Sequence, residues 1–417
     1  MQLNRKLAMA VGSLLTVSQA QASEWLVDSA VMFYNEKDSQ GQDRVSIFEP
    51  VVSVTQQNTP DDFVKLDFIY DSLTGATPNG ANASSDIQKF PSFGVRPGFT
   101  PLDTNFEDTR IALNLSAQKP IERMSRIQSG VSYSVEGDYE SVGGNLSYLQ
   151  DFNNKQTTLM IGGAYTHDAI NPKTGFRDPF GSIFDANSTS DYQGEGSTFE
   201  FKGKTKDTMD LILGVSHVLN SKTLLNANYG ISSTTGYMTD DYKIISVVDD
   251  QGIAQDYVGE ARPDSRFRQT LKTTMVTALG KDSLHLDYRY FWDDWDVSAH
   301  TIDAKYFYTM GEKITVRPHI RYSAQSKANF YRLSLQEGEA LPKYASADYR
   351  LADMTTLTVG AQAIYKFSPD LSLSANIEKI TQYGDSSPAE AIGDQRLNDM
   401  FPTINIWTYT FGLKSRF

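Results

Sequence analysis

The chain has 417 residues, 12% of them aromatic, with 51 Asp and Glu against 38 Lys and Arg and a net charge of −13. That acidic balance argues against nucleic acid as a partner, since phosphate binding needs a basic footprint. The complete lack of cysteine excludes a disulfide framework and thiol chemistry.

At the N-terminus Arg5 and Lys6 precede an apolar stretch, Leu7 to Val17, and Ala20-Gln21-Ala22 supplies an A-x-A cleavage site. This pattern marks residues 1–22 as a cleaved signal peptide and carries the mature chain, beginning near Ser23, out of the cytoplasm. Residues 23–417 then read as a single domain. Mean hydropathy is only −0.40, but alternating strands dilute hydropathy because every second residue is polar. Strands are expected near 26–36, 44–57, 62–71, 109–118, 125–136, 139–152, 155–168 and 206–219. Eight more follow near 222–234, 265–280, 282–293, 299–309, 312–326, 352–367, 370–383 and 403–417. In "SLHLDYRYFW", Leu284, Leu286, Tyr288, Tyr290 and Trp292 share one face against Ser283, His285, Asp287 and Arg289. In "ITVRPHIRYSA", Ile314, Val316, Pro318, Ile320 and Tyr322 oppose Thr315, Arg317, His319, Arg321 and Ser323. This is the period of a strand with different solvents on its two sides.

The connections alternate as well. "NTPDD", "FNNK", "NS", "KD", "MGE" and "SPD" are short, whereas 72–108, 169–205, 235–264, 327–351 and 384–402 are long. Short turns on one rim and long loops on the other predict an all-β, transmembrane antiparallel up-and-down β-barrel of about 16 strands in the cell outer membrane. Its long loops are extracellular and its short turns periplasmic. An inward-folded loop, expected from 72–108 or 169–205, would narrow the lumen. The last segment, "TYTFGLKSRF", places Tyr409, Phe411, Leu413 and Phe417 on one face and Lys414 and Arg416 on the other. It must pair with the first strand, since unpaired backbone in lipid costs several kcal/mol per group. Its terminal Phe resembles the signal that barrel-assembly machinery reads.

Four stretches go beyond a generic barrel: "DRVSIFEPVVS" (43–53), "DSLTGATPNGA" (71–81), "YRYFWDDWDVSAHT" (288–301) and "SADYRL" (346–351). They resemble, in order over nearly the whole mature chain, a family of Gram-negative exported proteins catalogued only as a domain of unknown function. The resemblance implies an outer-membrane barrel and a periplasmic or lipoprotein partner in a redox-linked envelope system. Where it implies Gly-Ile after "DDW", this chain has Asp296-Val297, so a turn needing positive φ would have to accept Asp.

Candidate lumen-lining residues are Lys65, Asp67, Asp71, Asp210, Lys272, His285, Asp287, Arg289, Asp303, Lys305, Arg317, His319, Arg321, Glu378, Lys414 and Arg416. Mixed charge inside a closed wall lines a water-filled pore and tunes selectivity, or forms a salt-bridge network that props the wall. Asp249, Asp250, Asp293, Asp294 and Asp296 are weak candidates for a divalent cation. They lack the spacing of a calcium loop and suit solvated acid facing lipopolysaccharide. The Asp residues between Trp292 and Trp295 also suit a structural corner, with both Trp in a membrane girdle. His167-Asp168 at a strand end is the one hint of catalysis, without G-x-S-x-G or a His-x-x-x-His spacing around it. The expected function is therefore a porin-like or substrate-restricted channel, not an enzyme, with no cofactor and with outer-membrane lipid as its surroundings. The alternative is a non-conducting barrel that anchors or sheathes a periplasmic or lipoprotein partner.

Overall fold

The computed structural model describes residues 23–417 except 92, 174, 185–188 and 191–202. The expected signal peptide and much of the 171–203 segment lie outside the described residues. Sixteen antiparallel strands close into one barrel, each pairing with its neighbours in sequence. In chain order they are β1 Glu24–Asp38, β2 Asp43–Thr59, β3 Asp62–Pro78, β4 Leu102–Glu122, β5 Ser125–Val135, β6 Tyr139–Phe152, β7 Thr157–Ile170 and β8 Lys204–Asn220. The second half comprises β9 Thr223–Gly236, β10 Ser265–Leu279, β11 Asp282–Asp293, β12 Ser298–Met310, β13 Ile314–Gln325, β14 Met354–Ser368, β15 Leu371–Tyr383 and β16 Ile404–Arg416.

Closure joins β1 to β16 with Ala30 opposite Gly412 and Phe33 opposite Tyr409. Beyond the ladder, Phe417 N–H donates to Trp25 O (2.9 Å) and Trp25 N–H to Phe417 O (3.1 Å). Phe417 is thus tied to the first strand, and among the described residues the closed barrel leaves no strand edge in lipid. Along β16 and at the residue after it the exposed large apolar residues are Trp407, Tyr409, Phe411, Leu413 and Phe417, the last at 76%. They alternate with inward Thr408, Thr410, Gly412, Lys414 and Arg416. The same alternation puts Met209 and Leu211, Tyr288, Ile302, Ile320 and Tyr322, and Ile377 on the outside. Aromatic stacking marks the outer band, as where Tyr290 lies 4.9 Å from Trp292 and 4.6 Å from His300.

β3 and β4 outrun their expected ends. β4 has 21 residues, against the roughly 9–11 that cross the hydrocarbon when tilted, so this hairpin stands above the membrane. Its register shifts between Gly75 and Thr77. Gly75 sits at φ +129°, with the Arg44 carbonyl where a Cβ would go, a position only glycine tolerates. β7 starts two residues later than expected because Asn153, Asn154 and Lys155 all take left-handed φ (51°, 52° and 65°) in the periplasmic turn.

On the outer rim the loops build a cap. The hairpin Ile244–Val248/Ala254–Gly259 is joined in parallel by Leu335–Gln336. Ile245, Val258, Leu335, Ala345 and Ala347 form its apolar centre, and Phe90 and Val95 of the 79–101 loop pack on Ile244 and Tyr257. The 326–353 loop enters the barrel. Its short helix Tyr349–Leu351 lies beside a cluster of Ala352, Phe401, Ile404 and Ile406 that takes in Tyr34 and Ile380 from the inner wall. The sequence pointed to 72–108 or 169–205 as the inward loop. Among the described residues the 326–353 loop takes that place, since Ala328, Phe330 and Leu351 bury against Trp295 and Val297 and Asp348 pairs with Arg262 and Arg350; much of 169–205 lies outside the described residues.

Candidate functional site

All the lumen candidates alternate with the lipid-facing residues and lie on the inner face. Most of their carboxylates are already engaged. Lys65 meets Asp67 at 2.7 Å, Lys272 meets Asp287 at 3.4 Å, and Lys305 meets Asp303 at 3.1 Å. Near the periplasmic end Lys414 lies 3.8 Å from Asp28, and Arg416 lies 2.9 Å from Glu24. Asp71 pairs with Arg110, and no ion pair of Asp210 is found among the described residues. Three arginines stand apart. No carboxylate lies within salt-bridge distance of Arg289, Arg317 or Arg321 among the described residues. Arg317 sits 5.6 Å over the Phe307 ring with its Nε buried and unbonded, and His285 packs on the same ring at 4.6 Å.

The middle of the lumen holds a buried histidine between two acids. His319 is 8% exposed, its Nε2 lies 2.9 Å from Asp303 and its Nδ1 2.9 Å from Glu378. Glu378 belongs to β15, two strands away, and reaches β13 only because Gly360 of β14 lies between them in register. A Cβ on Gly360 would come within 2.5 Å of Glu378 Cγ and 2.6 Å of the Ile377 carbonyl. Gly360→Ala is therefore expected to push Glu378 off His319 and to lower barrel stability by about 1–3 kcal/mol, the range for overpacking. The check is a fall in the urea midpoint with the slope unchanged.

Beneath the cap lies a cavity of about 360 Å³ lined by Arg262, Arg266, Arg289, Arg321, Asp348 and Arg350, together with Thr301 and Ser323. A second one, of about 300 Å³, adjoins Arg266 and Arg268 and reaches Lys206 and Asp168. Arg266 pairs with Asp293 and stacks 4.2 Å from the Trp295 ring. Arg262 is held by Glu260 and, at 2.9 Å, by Asp348, and Arg350 by Asp348 and, at 2.8 Å, by Asp240. The sequence reading missed Arg262, Arg266, Arg268, Asp348 and Arg350. Arg266 and Arg268 were legible, since "SRFRQTLK" alternates like its neighbours. Asp348 and Arg350 lie within "SADYRL", which carried the resemblance without a role.

Trp292 faces lipid, but Trp295 does not belong to the girdle. It is 4% exposed, packed edge-on at 4.9 Å against Phe330, with its indole N–H donated to Ser265 O at 2.9 Å. The turn at 294–297 turns it inward. Asp293 Oδ1 accepts from the N–H of Trp295 (3.0 Å) and Val297 (2.9 Å), and Asp294 from the N–H of Phe267 (2.9 Å). Asp296 adopts φ +63°, a conformation that Asp accepts more readily than most residues, and its Oδ2 takes Asn329 Nδ2 at 3.1 Å. Asp249 accepts from the N–H groups of Gln251 and Ile253 in its own turn, and Asp250 is exposed. These five acids do not converge. His167 and Asp168 are likewise parted, since successive residues face opposite sides of a strand. His167 lies 2.7 Å from Asp207 on the outer face, and Asp168 is 3.5 Å from Lys206 on the inner.

The carboxylates that do converge are Asp108, Glu136 and Asp138 at the outer rim, with Arg110 Nε 4.0 Å from Glu136. Burial, reinforced by the charge of Asp108, lifts the Glu136 carboxyl to about 7. The folded state therefore holds this proton more tightly than the unfolded chain. The contribution is present below the ordinary carboxyl range and is lost as pH rises through about 7. Glu136→Gln is expected to raise the urea midpoint over the natural chain at pH 8 and to leave it unchanged at pH 4.

A closed sixteen-strand wall, an apolar outer band and a charged interior define an outer-membrane β-barrel. The chain belongs to the family described as protein of unknown function DUF3570, whose model matches residues 6–414. No curated protein matches it. Among solved structures it is similar to the toluene transporter TodX of P. putida, at 10% identity over 96% of this chain and 91% of that one, with a TM-score of 0.39. Pseudomonas aeruginosa OpdK, crystallised with vanillate, matches at 9% over 95% and 99%, TM-score 0.39. OmpT of Vibrio cholerae matches at 8% over 96% and 99%, TM-score 0.41.

Proposed function

We propose that the protein is an outer-membrane channel for small solutes whose traffic is restricted at the outer mouth by the folded cap. The observation that carries this reading is the set of inward arginines without counter-charges, two of them directly beneath the cap. A network serving only to brace the wall would match its guanidinium groups with carboxylates, whereas Arg289 and Arg321 are exposed and have none within salt-bridge distance among the described residues. Facing water, the same groups set ion preference. In this reading the signal peptide delivers the chain across the inner membrane, and the barrel-assembly machinery recognises its aromatic C-terminus. The wall then sits among outer-membrane lipid and lipopolysaccharide, and no catalytic step is assigned.

Single-channel recording of the refolded mature protein in a planar bilayer tests it. Stable but small openings are expected, with a reversal potential in asymmetric salt that favours anions. A barrel that shows the heat-dependent gel shift of a folded wall and never conducts sinks the channel reading. It points instead to an anchor or sheath for a periplasmic or lipoprotein partner, to be sought by pull-down.

A further inference from the structure

Building on the channel reading, we infer that the cavity beneath the cap is a binding site for a compact dianion, a small dicarboxylate or a phosphate, held between Arg289 and Arg321. The two guanidinium groups face the same 360 Å³ space, which falls within the roughly 300–1,000 Å³ of small-molecule pockets. Every other charge on its walls is already matched. Arg266 is opposed by Asp293, and Arg262 and Arg350 by Glu260, Asp348 and Asp240. The acids nearest to Arg289 and Arg321 along the wall are also engaged. Asp303, opposite Arg321 in register, turns to His319 and Lys305, and Asp287 turns to Lys272 and the Thr274 hydroxyl. Two positive charges are left over.

Hydroxyls complete the recognition surface. Arg289 is in register with Thr301, and Thr301 with Ser323. The Thr301 and Ser323 hydroxyls lie 2.9 Å apart, and each keeps further hydrogen-bonding capacity for a ligand oxygen. Two like charges side by side repel, and an anion between them reverses the sign of the interaction. Arginine presents a planar fork that matches carboxylate and phosphate oxygens two at a time. A cation would meet two guanidinium charges with no carboxylate to offset them. Asp348, the acid in the ceiling, is saturated by Arg262, Arg350 and the backbone of its own turn.

The test is isothermal titration calorimetry on the refolded full-length barrel in detergent, with succinate and inorganic phosphate as probes and acetate and choline as controls. Succinate or phosphate is expected to bind at least tenfold more tightly than acetate, and choline not at all. The stronger of the two probes tells which oxyanion the cavity suits. Arg289→Gln with Arg321→Gln should weaken that binding at least tenfold. Arg317→Gln, which removes an equally unpaired arginine away from the cavity, should leave it unchanged. Equal binding of succinate, phosphate and acetate overturns the inference, as does a double variant that binds like the natural chain. Should the Gln pair lose the folded gel shift, Arg289→Lys with Arg321→Lys keeps the charge and removes the fork. A loss of affinity in that variant supports the site, and unchanged affinity overturns it. Calorimetry does not need an open pore. Anion binding without openings keeps the site and removes the channel, and openings without anion preference or binding remove the site alone.

Discussion

Asp348→Asn is expected to open the outer mouth while leaving the wall intact. Asp348 is 1% exposed and sits where the cap meets the inner wall. It accepts from the Arg350 side chain, from the Arg350 N–H at 3.1 Å and from Arg262 at 2.9 Å. Burial alone would raise its carboxyl, but Arg350, Lys243 and Arg262 together hold it well below the ordinary range. Because that shift is downward, its contribution is present above the ordinary carboxylate range and is lost only as pH falls through the depressed value. Acidification to about pH 4 should therefore leave this contact standing, whereas the Asn variant lacks it at every pH. Removing one member of a buried pair costs about 3–5 kcal/mol, because the partners stay buried and unbalanced. About 3 kcal/mol raises an opened population more than a hundredfold, and the cost falls on the cap as a local unit. The expected readings are larger and more frequent openings, new protease cleavage within 326–353, and an unaltered gel shift. Unchanged conductance with unchanged protease resistance would count against the cap as the restricting element.

Phe411→Arg is expected to abolish assembly, and Thr410→Lys, one residue away, to leave it nearly intact. Phe411 is 56% exposed on the outer face of β16, the strand that closes the barrel. Arg near the middle of the lipid face costs about 2–4 kcal/mol relative to a neutral residue, and the apolar area of Phe is lost besides. Thr410 faces the lumen, opposite Met32 and Asn376, where a long polar chain reaches water. The fraction of folded, heat-shifted protein recovered in membranes reads the difference. Equal recovery of the two variants would reverse the assignment of inner and outer faces for this strand.

The wall was legible because its physics is local and periodic. Alternation in "SLHLDYRYFW" and "ITVRPHIRYSA" assigns both faces, and turn length separates the two rims. Strand ends read less well where a backbone detail decides them, such as the left-handed run at 153–155 or the pairing of β3 and β4 above the lipid. The cap was not legible. Its apolar residues are single letters scattered through polar loops, with neither the two-residue nor the 3.6-residue period to reveal them. Trp295 illustrates the difficulty, since in sequence it is the twin of Trp292, and only the turn between them sends one to lipid and the other to the cap. For the candidate site, the inward Arg289 and Arg321 could be read from the alternation. Which charges are matched and which are left over depends on contacts such as Glu378 reaching across Gly360, and no spacing encodes these.

The two halves of the molecule place different demands on folding. Apart from its closing seam, the wall is built from hairpins whose strands are neighbours in the chain. The cap joins distant residues, as where the Ser84 hydroxyl donates to Asp394 at 3.0 Å across 310 positions. Contacts of that span carry a loop-closure cost until the loop ends are brought together, and only the finished wall does so. The loops must also reach the cell exterior before they can fold there. The wall is therefore expected to be complete before the cap folds, and on the channel reading proposed above a wall without its lid would for that interval be a hole in the envelope. Fast closure of the lid, no less than the fit of any solute, is then a property on which selection can act.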